Sequence, residues 1–258
     1  MTDILKVETR RRVRLLTLNR PDVRNALNTA LNDAIAEAVM VADHDPEVYA
    51  IAITGTGTSF CSGADLKDAR DLADAGKPFY GPLHSIRRSL FEVIIDSRKP
   101  TIAIVNGPAV AGGFELALSC DIRICADNAF FAVPEVKRGR GAHFASVMLP
   151  VTVPPGIAME WLYTGRKITL TEAERWGLVN RVVPASELTK QATEFLDEIT
   201  ANAPLSLQRL KLTYRRTAGM DPHTAIRLDH GPDVYLSEDQ KEGARAFLEK
   251  RDPRWQGR

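Results

Sequence analysis

Hydrophobic and polar positions change period several times along the chain, and each change marks an element. Residues 4 to 9 and 13 to 19 are rich in strand formers on either side of an arginine-rich stretch, which predicts an opening hairpin. Arg10, Arg11, Arg12 and Arg14 read as its solvated turn. Leu27, Leu31, Ile35 and Val39 then recur at steps of four, the stripe of an amphipathic helix over 27 to 43. The apolar run Val48 to Thr54 predicts a buried strand. A Gly/Ser loop from Gly55 to Gly63, a helical stretch near Leu83 to Asp96 and the strand Thr101 to Val105 repeat the grammar. Strand, loop, helix, strand implies a sheet flanked by helices, an α/β fold. A Gly-rich turn after Val105 leads into a helix over Ala111 to Cys120, and Ile122 to Cys125 and Ala129 to Val133 read as extended. Beyond Val183 no strand-like run occurs, and helical periodicity fills most of 186 to 250. The chain therefore divides into a core over 1 to 185 and a helical region over 186 to 258. Leu188, Phe195, Leu196, Ile199, Leu207, Leu210 and Leu212 in that region are expected to need another surface to cover them.

Composition narrows the partners. In 258 residues, 34 Lys and Arg balance 33 Asp and Glu, so net charge invites neither nucleic acid nor an anionic membrane. Cys61, Cys120 and Cys125 have no metal-like spacing and sit among apolar or small residues, as buried thiols in a reducing compartment do, so no metal is expected. The first residues lack the pattern of a secretory signal, and no segment approaches the roughly 18 apolar residues of a membrane span, which points to the cytoplasm.

Two backbone features could carry chemistry. Phe60-Cys61-Ser62-Gly63-Ala64-Asp65-Leu66 follows a strand with small residues whose N–H groups a ligand can approach closely. Asn106 to Glu115 is a Gly-rich turn delivering the start of a helix, where first-turn N–H groups have no intrahelical partner and suit an oxyanion. Gly112 and Glu115 are three apart, so a carboxylate stands on the face of the N–H donor, within an otherwise apolar segment. The competing reading makes Glu115 a cap of its own helix start. Glu135, 20 positions on, closes an apolar strand and alone is an ordinary strand-end carboxylate.

Thr17-Leu18-Asn19-Arg20-Pro21, Asn25-Ala26-Leu27-Asn28, Phe60 to Leu66, Val105 to Cys125 and Pro134-Glu135 together resemble the crotonase (enoyl-CoA hydratase/isomerase) family, in order and across nearly the whole chain. The resemblance implies a spiral of ββα units with a C-terminal helical oligomerisation region. It implies an acyl-coenzyme A substrate whose thioester oxygen lies between the N–H groups of Ser62 and Gly112, and Glu115 and Glu135 as the hydratase carboxylates. Ser62, Gly63, Ala64 and Asp65 resemble the strip contacting coenzyme A, and Phe247 and Lys250 resemble the terminal-helix pair that reaches its nucleotide. No bound cofactor is implied beyond coenzyme A as part of the substrate, and assembly as a homotrimer or a dimer of trimers is.

Within the family, retention of both glutamates favours addition or loss of water over isomerisation, hydrolysis or decarboxylation; a catalytically inert coenzyme A-binding scaffold is the reading from a different class. His143 stands where a family glycine helps hold the catalytic water, and is a candidate for the substrate pocket. Val153-Pro154-Pro155, Trp176 to Val183 and the segments Ser237-Glu238-Asp239 and Lys250 to Arg258 resemble the carnitinyl-CoA dehydratase branch.

Overall fold

The computed structural model describes residues 4–76 and 88–258. The opening hairpin is present as β1 (Leu5–Arg10) and β2 (Val13–Leu18), antiparallel, with Arg11 and Arg12 both at positive φ, as a tight two-residue hairpin turn requires. Arg10, Arg11 and Arg12 are exposed, as a solvated turn requires, and only Arg14, already in β2, is withdrawn from solvent. Arg11 pairs with Asp197, Arg12 with Glu47, and the largely buried Arg14 reaches Asp45 at 2.9 Å. Charged partners far along the chain are invisible to a local reading.

The helix α1 (Thr29–His44) starts two residues later than its stripe, because Asn28 accepts the Leu31 N–H and caps it. Leu27 is left outside, paired with Ala64. Then follow β3 (Ala50–Gly55), α2 (Leu66–Asp74), α3 (Leu90–Asp96) and β4 (Thr101–Val105). The part of the expected helix from Leu83 to 87 lies outside the described residues. Next come β5 (Ala109–Val110), α4 (Gly112–Ser119), β6 (Ile122–Ala126) and β7 (Phe131–Ala132). After them lie α5 (His143–Thr152), α6 (Pro155–Thr164), β8 (Lys167–Ile168), α7 (Leu170–Arg175) and β9 (Arg181–Val183). The chain ends with α8 (Leu188–Thr200), α9 (Pro204–Thr217), α10 (Pro222–Ala225) and α11 (Glu238–Glu249).

The main sheet runs β1-β2-β3-β4-β6-β9, parallel except for the first pair, and β5, β7 and β8 form a smaller second sheet. Alternation along the parallel strands serves two cores. Ile51, Ile53, Ala103, Val105 and Cys125 face α1, α3 and α4, whereas Ala50, Ala52, Ile102, Ile104 and Ile124 face the opposite side. That second face is closed by Leu188, Ala192 and Leu196 of α8, with Phe195 and Ile199 at its margin. This corrects the expectation that these C-terminal residues need a foreign surface: α8 is the outer layer of this chain's own core. Further on the expectation fits better, since Leu210 remains 69% exposed.

Candidate active site

The strip after β3 is held flat by its neighbours. Buried Asn25 donates to Thr56 O and Ser59 O at 2.9 and 2.8 Å, and Asn106 Oδ1 accepts the Gly55 N–H at 3.1 Å. Leu27 N–H donates to Gly63 O at 2.8 Å, and Asp65 N–H returns to Leu27 O at 2.9 Å. The Asp65 carboxylate bonds Arg20 at 2.9 Å and takes N–H groups at the start of α2, so its charge is already used.

These bonds decide which N–H groups are left for a ligand. Ser62 N–H donates to Arg24 O at 3.0 Å, so the donor expected at Ser62 is spent. Ala64 N–H has no acceptor among the described residues, and neither does Gly112 N–H at the first position of α4. The two lie together. A Cβ built on Gly112 would come 3.8 Å from Ala64 N, and one built on Gly63 would come 3.1 Å from Gly112 N. Gly63 takes φ +91° and presses on Val110 O and the Ala111 side chain, a fit with no room for a Cβ. The strip alternates direction residue by residue, so the free donor is Ala64 where the resemblance had placed Ser62.

Gly112 is presented by strained backbone. Ala111, immediately before α4, has φ 55° and ψ −129°, a conformation that costs a non-glycine residue about 1–3 kcal/mol. Ala111 N–H is held by Ala132 O at 2.9 Å and Glu115 N–H donates to Ala111 O at 3.0 Å, which keeps it there.

Glu115 does not cap its own helix. Its Oε1 accepts the Ala145 N–H at 3.0 Å, and the Phe144 N–H also bonds the carboxylate. These are orphan donors in the first turn of α5, whose own N-cap, Ala142, has no side-chain acceptor. Glu115 is 8% exposed. Burial, reinforced by the charge of Glu135, pushes its carboxyl up to about 7 against the two N–H bonds. Glu135 lies in a 3-10 turn, Pro134–Arg138, rather than at a strand end. Burial raises its carboxyl too, opposed by Arg138 and Arg140, and its Oε2 is buried without a hydrogen-bond partner. The pair implied by the resemblance is thus close enough to interact electrostatically, with Glu115 in the first turn of the helix that Gly112 opens.

His143 opens α5 and its side chain is exposed. Its backbone is not in the left-handed region, so a histidine can stand there without strain. Phe144 next to it packs on Phe91 of α3, ring centroids 5.1 Å apart. Phe247 and Lys250 depart from their expected geometry. The helix α11 ends at Glu249, and Lys250 follows at φ 55°, so the two side chains are not an i, i+3 pair on one helical face. Phe247 is 84% exposed, while Asp239 and Glu242 of α11 bind the chain end through Gln256 N–H, Gly257 N–H, Arg251 and Arg254 N–H. Among the described residues no group of three or more His, Cys, Asp and Glu could hold a metal ion.

A carboxylate pair, Glu115 buried and Glu135 partly so, with two neighbouring unspent backbone donors, on a spiral of parallel strands and helices, defines a class, and comparison with known proteins gives it a family. Residues 8–258 match the family model for enoyl-CoA hydratase/isomerase, and the chain belongs to that family. It is similar to carnitinyl-CoA dehydratase of Salmonella typhimurium, 44% identical over 251 residues covering 94% of each chain. Among solved structures it resembles enoyl-CoA hydratase from Mycobacterium tuberculosis H37Rv, with TM-score 0.88, 35% identity and 99% of each chain covered. Enoyl-CoA hydratase from Bacillus anthracis superposes with TM-score 0.89 at 31% identity over 99% of this chain and 100% of that one. The fold is therefore the crotonase α/β fold.

Proposed function

We propose that this chain adds or removes water across the α,β bond of an acyl-coenzyme A thioester, an activity of the kind its carnitinyl-CoA dehydratase and enoyl-CoA hydratase relatives are named for. The observation that carries the reading is the Glu115–Glu135 pair, with Glu115 displaced to about 7, beside the free N–H groups of Ala64 and Gly112. Attack of water on the β-carbon moves negative charge onto the thioester oxygen. Two fixed donors stabilise that enolate, each typically worth about 2.7–4 kcal/mol of barrier. Water must lose a proton as its oxygen bonds the β-carbon, and the α-carbon must gain one. One carboxylate takes the first and the other, as the acid, supplies the second. Dehydration runs the same transfers backward. Such a pair needs one proton between its two members near neutrality, and mutual repulsion with burial provides that state. An isomerase needs only one shuttling carboxylate.

Coenzyme A would lie along Ser62 to Asp65, with Gly63 and Ala64 presenting bare backbone. Phe247 and Lys250 would reach its nucleotide from a neighbouring copy in a homotrimer or dimer of trimers, for which residues beyond Thr200 form the assembly region. Support comes from the apolar side chains left open there, among them Ile226, Leu236, Phe247 and Leu248. Cytoplasmic location is part of the same reading; no helix among the described residues is long and apolar enough to cross a membrane.

The test is incubation with a panel of enoyl-, 3-hydroxyacyl- and carnitinyl-CoA thioesters, followed by mass and chromatography. Gain or loss of 18 mass units, about one water, is the expected result for at least one thioester, and is abolished by Glu115→Gln or Glu135→Gln. An isomeric product, a freed thiol or no reaction with any of them overturns the reading.

A further inference from the structure

Glu115 and Glu135 are held in different ways, and the difference points to a residue outside the pair. Two N–H groups of α5 fix the Glu115 carboxylate. Among the described residues, the Glu135 carboxylate has a hydrogen bond only from its own backbone N–H, and its Oε2 has none. Arg138 and Arg140 act on it through charge. Where this side chain stands is therefore decided by the backbone of the turn that carries it, Pro134–Arg138. The turn bonds to itself, with Gly139 N–H donating to Val136 O at 3.3 Å and Arg140 N–H to Glu135 O at 3.0 Å. Against it lies the end of α6. The strands β7 and β8 pair Phe131 with Ile168 and Ala132 with Lys167, and the same antiparallel register, continued by two residues, sets Gly165 opposite Pro134.

The approach is close. A Cβ built on Gly165 would come 3.1 Å from Val136 Cγ1, 3.2 Å from Pro134 Cα and 3.3 Å from Val133 O, so the space of one methyl group is taken by the residues on either side of Glu135. Gly165 itself has little freedom to yield. It ends α6 at φ +53°, with its N–H on Trp161 O at 2.9 Å. Trp161 is fully buried and its indole N–H bonds Glu172 at 3.0 Å. Arg166, the next residue, binds Glu172 at 2.8 Å and Glu160 at 2.6 Å. The turn is the softer side, since its residues from Val136 to Arg138 are exposed. A left-handed helix end asks for glycine in any case. Gly177 separates that need from the contact: it has φ +74° and nothing within 4 Å of where its Cβ would stand. We propose that Gly165 is a positioning residue for the proton transfers, its bare Cα being the stop on which the Pro134–Arg138 turn seats, so that the Glu135 carboxylate keeps its place relative to Glu115. Its part in turnover rests on the hydro-lyase reading; the seating of the carboxylate does not.

The test compares Gly165→Ala, Gly177→Ala, Val136→Ala and the double variant Gly165→Ala/Val136→Ala in the full chain. Each is measured for kcat and KM on a thioester that the parent turns over, and for infrared titration of its carboxyls without substrate. A misplacement of about 1 Å costs about a hundredfold in rate, and a turn that gives by a few tenths of that should lose about three- to tenfold in kcat, with KM unmoved. Gly165→Ala should also shift the Glu115 titration from the parent's, because the Glu135 charge contributes to it. Gly177→Ala imposes the same backbone strain and should do neither. Val136→Ala should lower kcat in the parent, where it removes packing from the seated turn, and raise it in Gly165→Ala, where it makes room. Opposite signs within one cycle mark a direct contact. Val136 is 47% exposed, so its variant stays folded, and a shifted Glu115 titration in it decides the matter should Gly165→Ala not fold. An unshifted titration in Gly165→Ala, an equal loss in Gly177→Ala, or additive effects in the cycle overturn the proposal. If the parent turns over no thioester, the hydro-lyase reading fails, and the substrate-free titrations still decide whether Gly165 seats the carboxylate.

Discussion

Replacing Glu115 by glutamine should remove the activity and strengthen the fold, and the second effect should depend on pH. In the unfolded chain this carboxyl titrates near its ordinary 4.5, whereas burial places it at about 7 in the folded chain. The folded state thus holds its proton more tightly. Below the unfolded value both states are protonated and the group is neutral to stability. As pH rises from 4.5 towards 7 the unfolded chain ionises first, and folding loses stability until both states are charged. At 1.36 kcal/mol per pH unit the displacement corresponds to about 3 kcal/mol, an upper figure for a side chain still 8% exposed. Glutamine keeps an oxygen for the Ala145 N–H and carries no charge. Glu115→Gln should therefore match the parent near pH 4.5 and exceed it near pH 8 by up to about 3 kcal/mol. For a chain of this size that is roughly 6–10 °C in melting temperature. The assay is denaturation at both pH values, at fixed protein concentration, beside turnover on the best thioester. A variant no more stable at pH 8 than at pH 4.5, relative to the parent, refutes burial as the cause of the displaced carboxyl.

Glu135→Gln should lower turnover by at least about a hundredfold with coenzyme A affinity little changed, and should let Glu115 titrate lower, because the Glu135 charge helps to raise it; infrared titration of the carboxyl checks the second half. Ala111→Gly relieves the positive φ and should raise stability by about 1 kcal/mol, read by denaturant midpoint, since the gain exceeds the added freedom of the unfolded chain. Lys250→Ala should raise the Michaelis constant for acyl-CoA, more at low salt than at high, with less effect on truncated pantetheine thioesters; equal effects on both would remove a phosphate contact from the account. Truncation before Leu188 should give insoluble protein because it uncovers one face of the sheet, whereas truncation after Asn202 should leave a folded chain that no longer assembles, distinguishable by light scattering.

What the sequence disclosed depended on the range of the interactions involved. The strands around Ile51, Ile102 and Ile124 were legible because both faces of the sheet are buried, so their runs are apolar throughout. The two-residue strands β5 and β8 carry too few positions for a period and β9 is scarcely longer, whereas β7 falls inside the run Ala129 to Val133 that reads as extended. The Glu115–Glu135 pair was visible only through family likeness, since spacing alone left one as a cap and the other as a strand end. The true capping partner, Ala145, lies 30 residues from Glu115, beyond any local signal. The choice between Ser62 and Ala64 turned on one carbonyl, that of Arg24, arriving from a separate loop. Arg14 and α8 teach the same lesson: a charge or an apolar stripe announces that it needs a partner, but not which one.

The two borders of the main sheet constrain how copies of this chain can meet. On one side β1 exposes every residue from Lys6 to Arg10, with Lys6, Glu8 and Arg10 along it; on the other, β9 offers only three residues and an exposed Arg181. Charged or very short borders discourage a foreign strand from docking and continuing the ladder. Association by strand addition, the route that leads to open-ended fibres, is thereby disfavoured at both margins. Growth of a complex is left to side-chain surfaces on helices, where a rotation can close and the number of subunits stays finite.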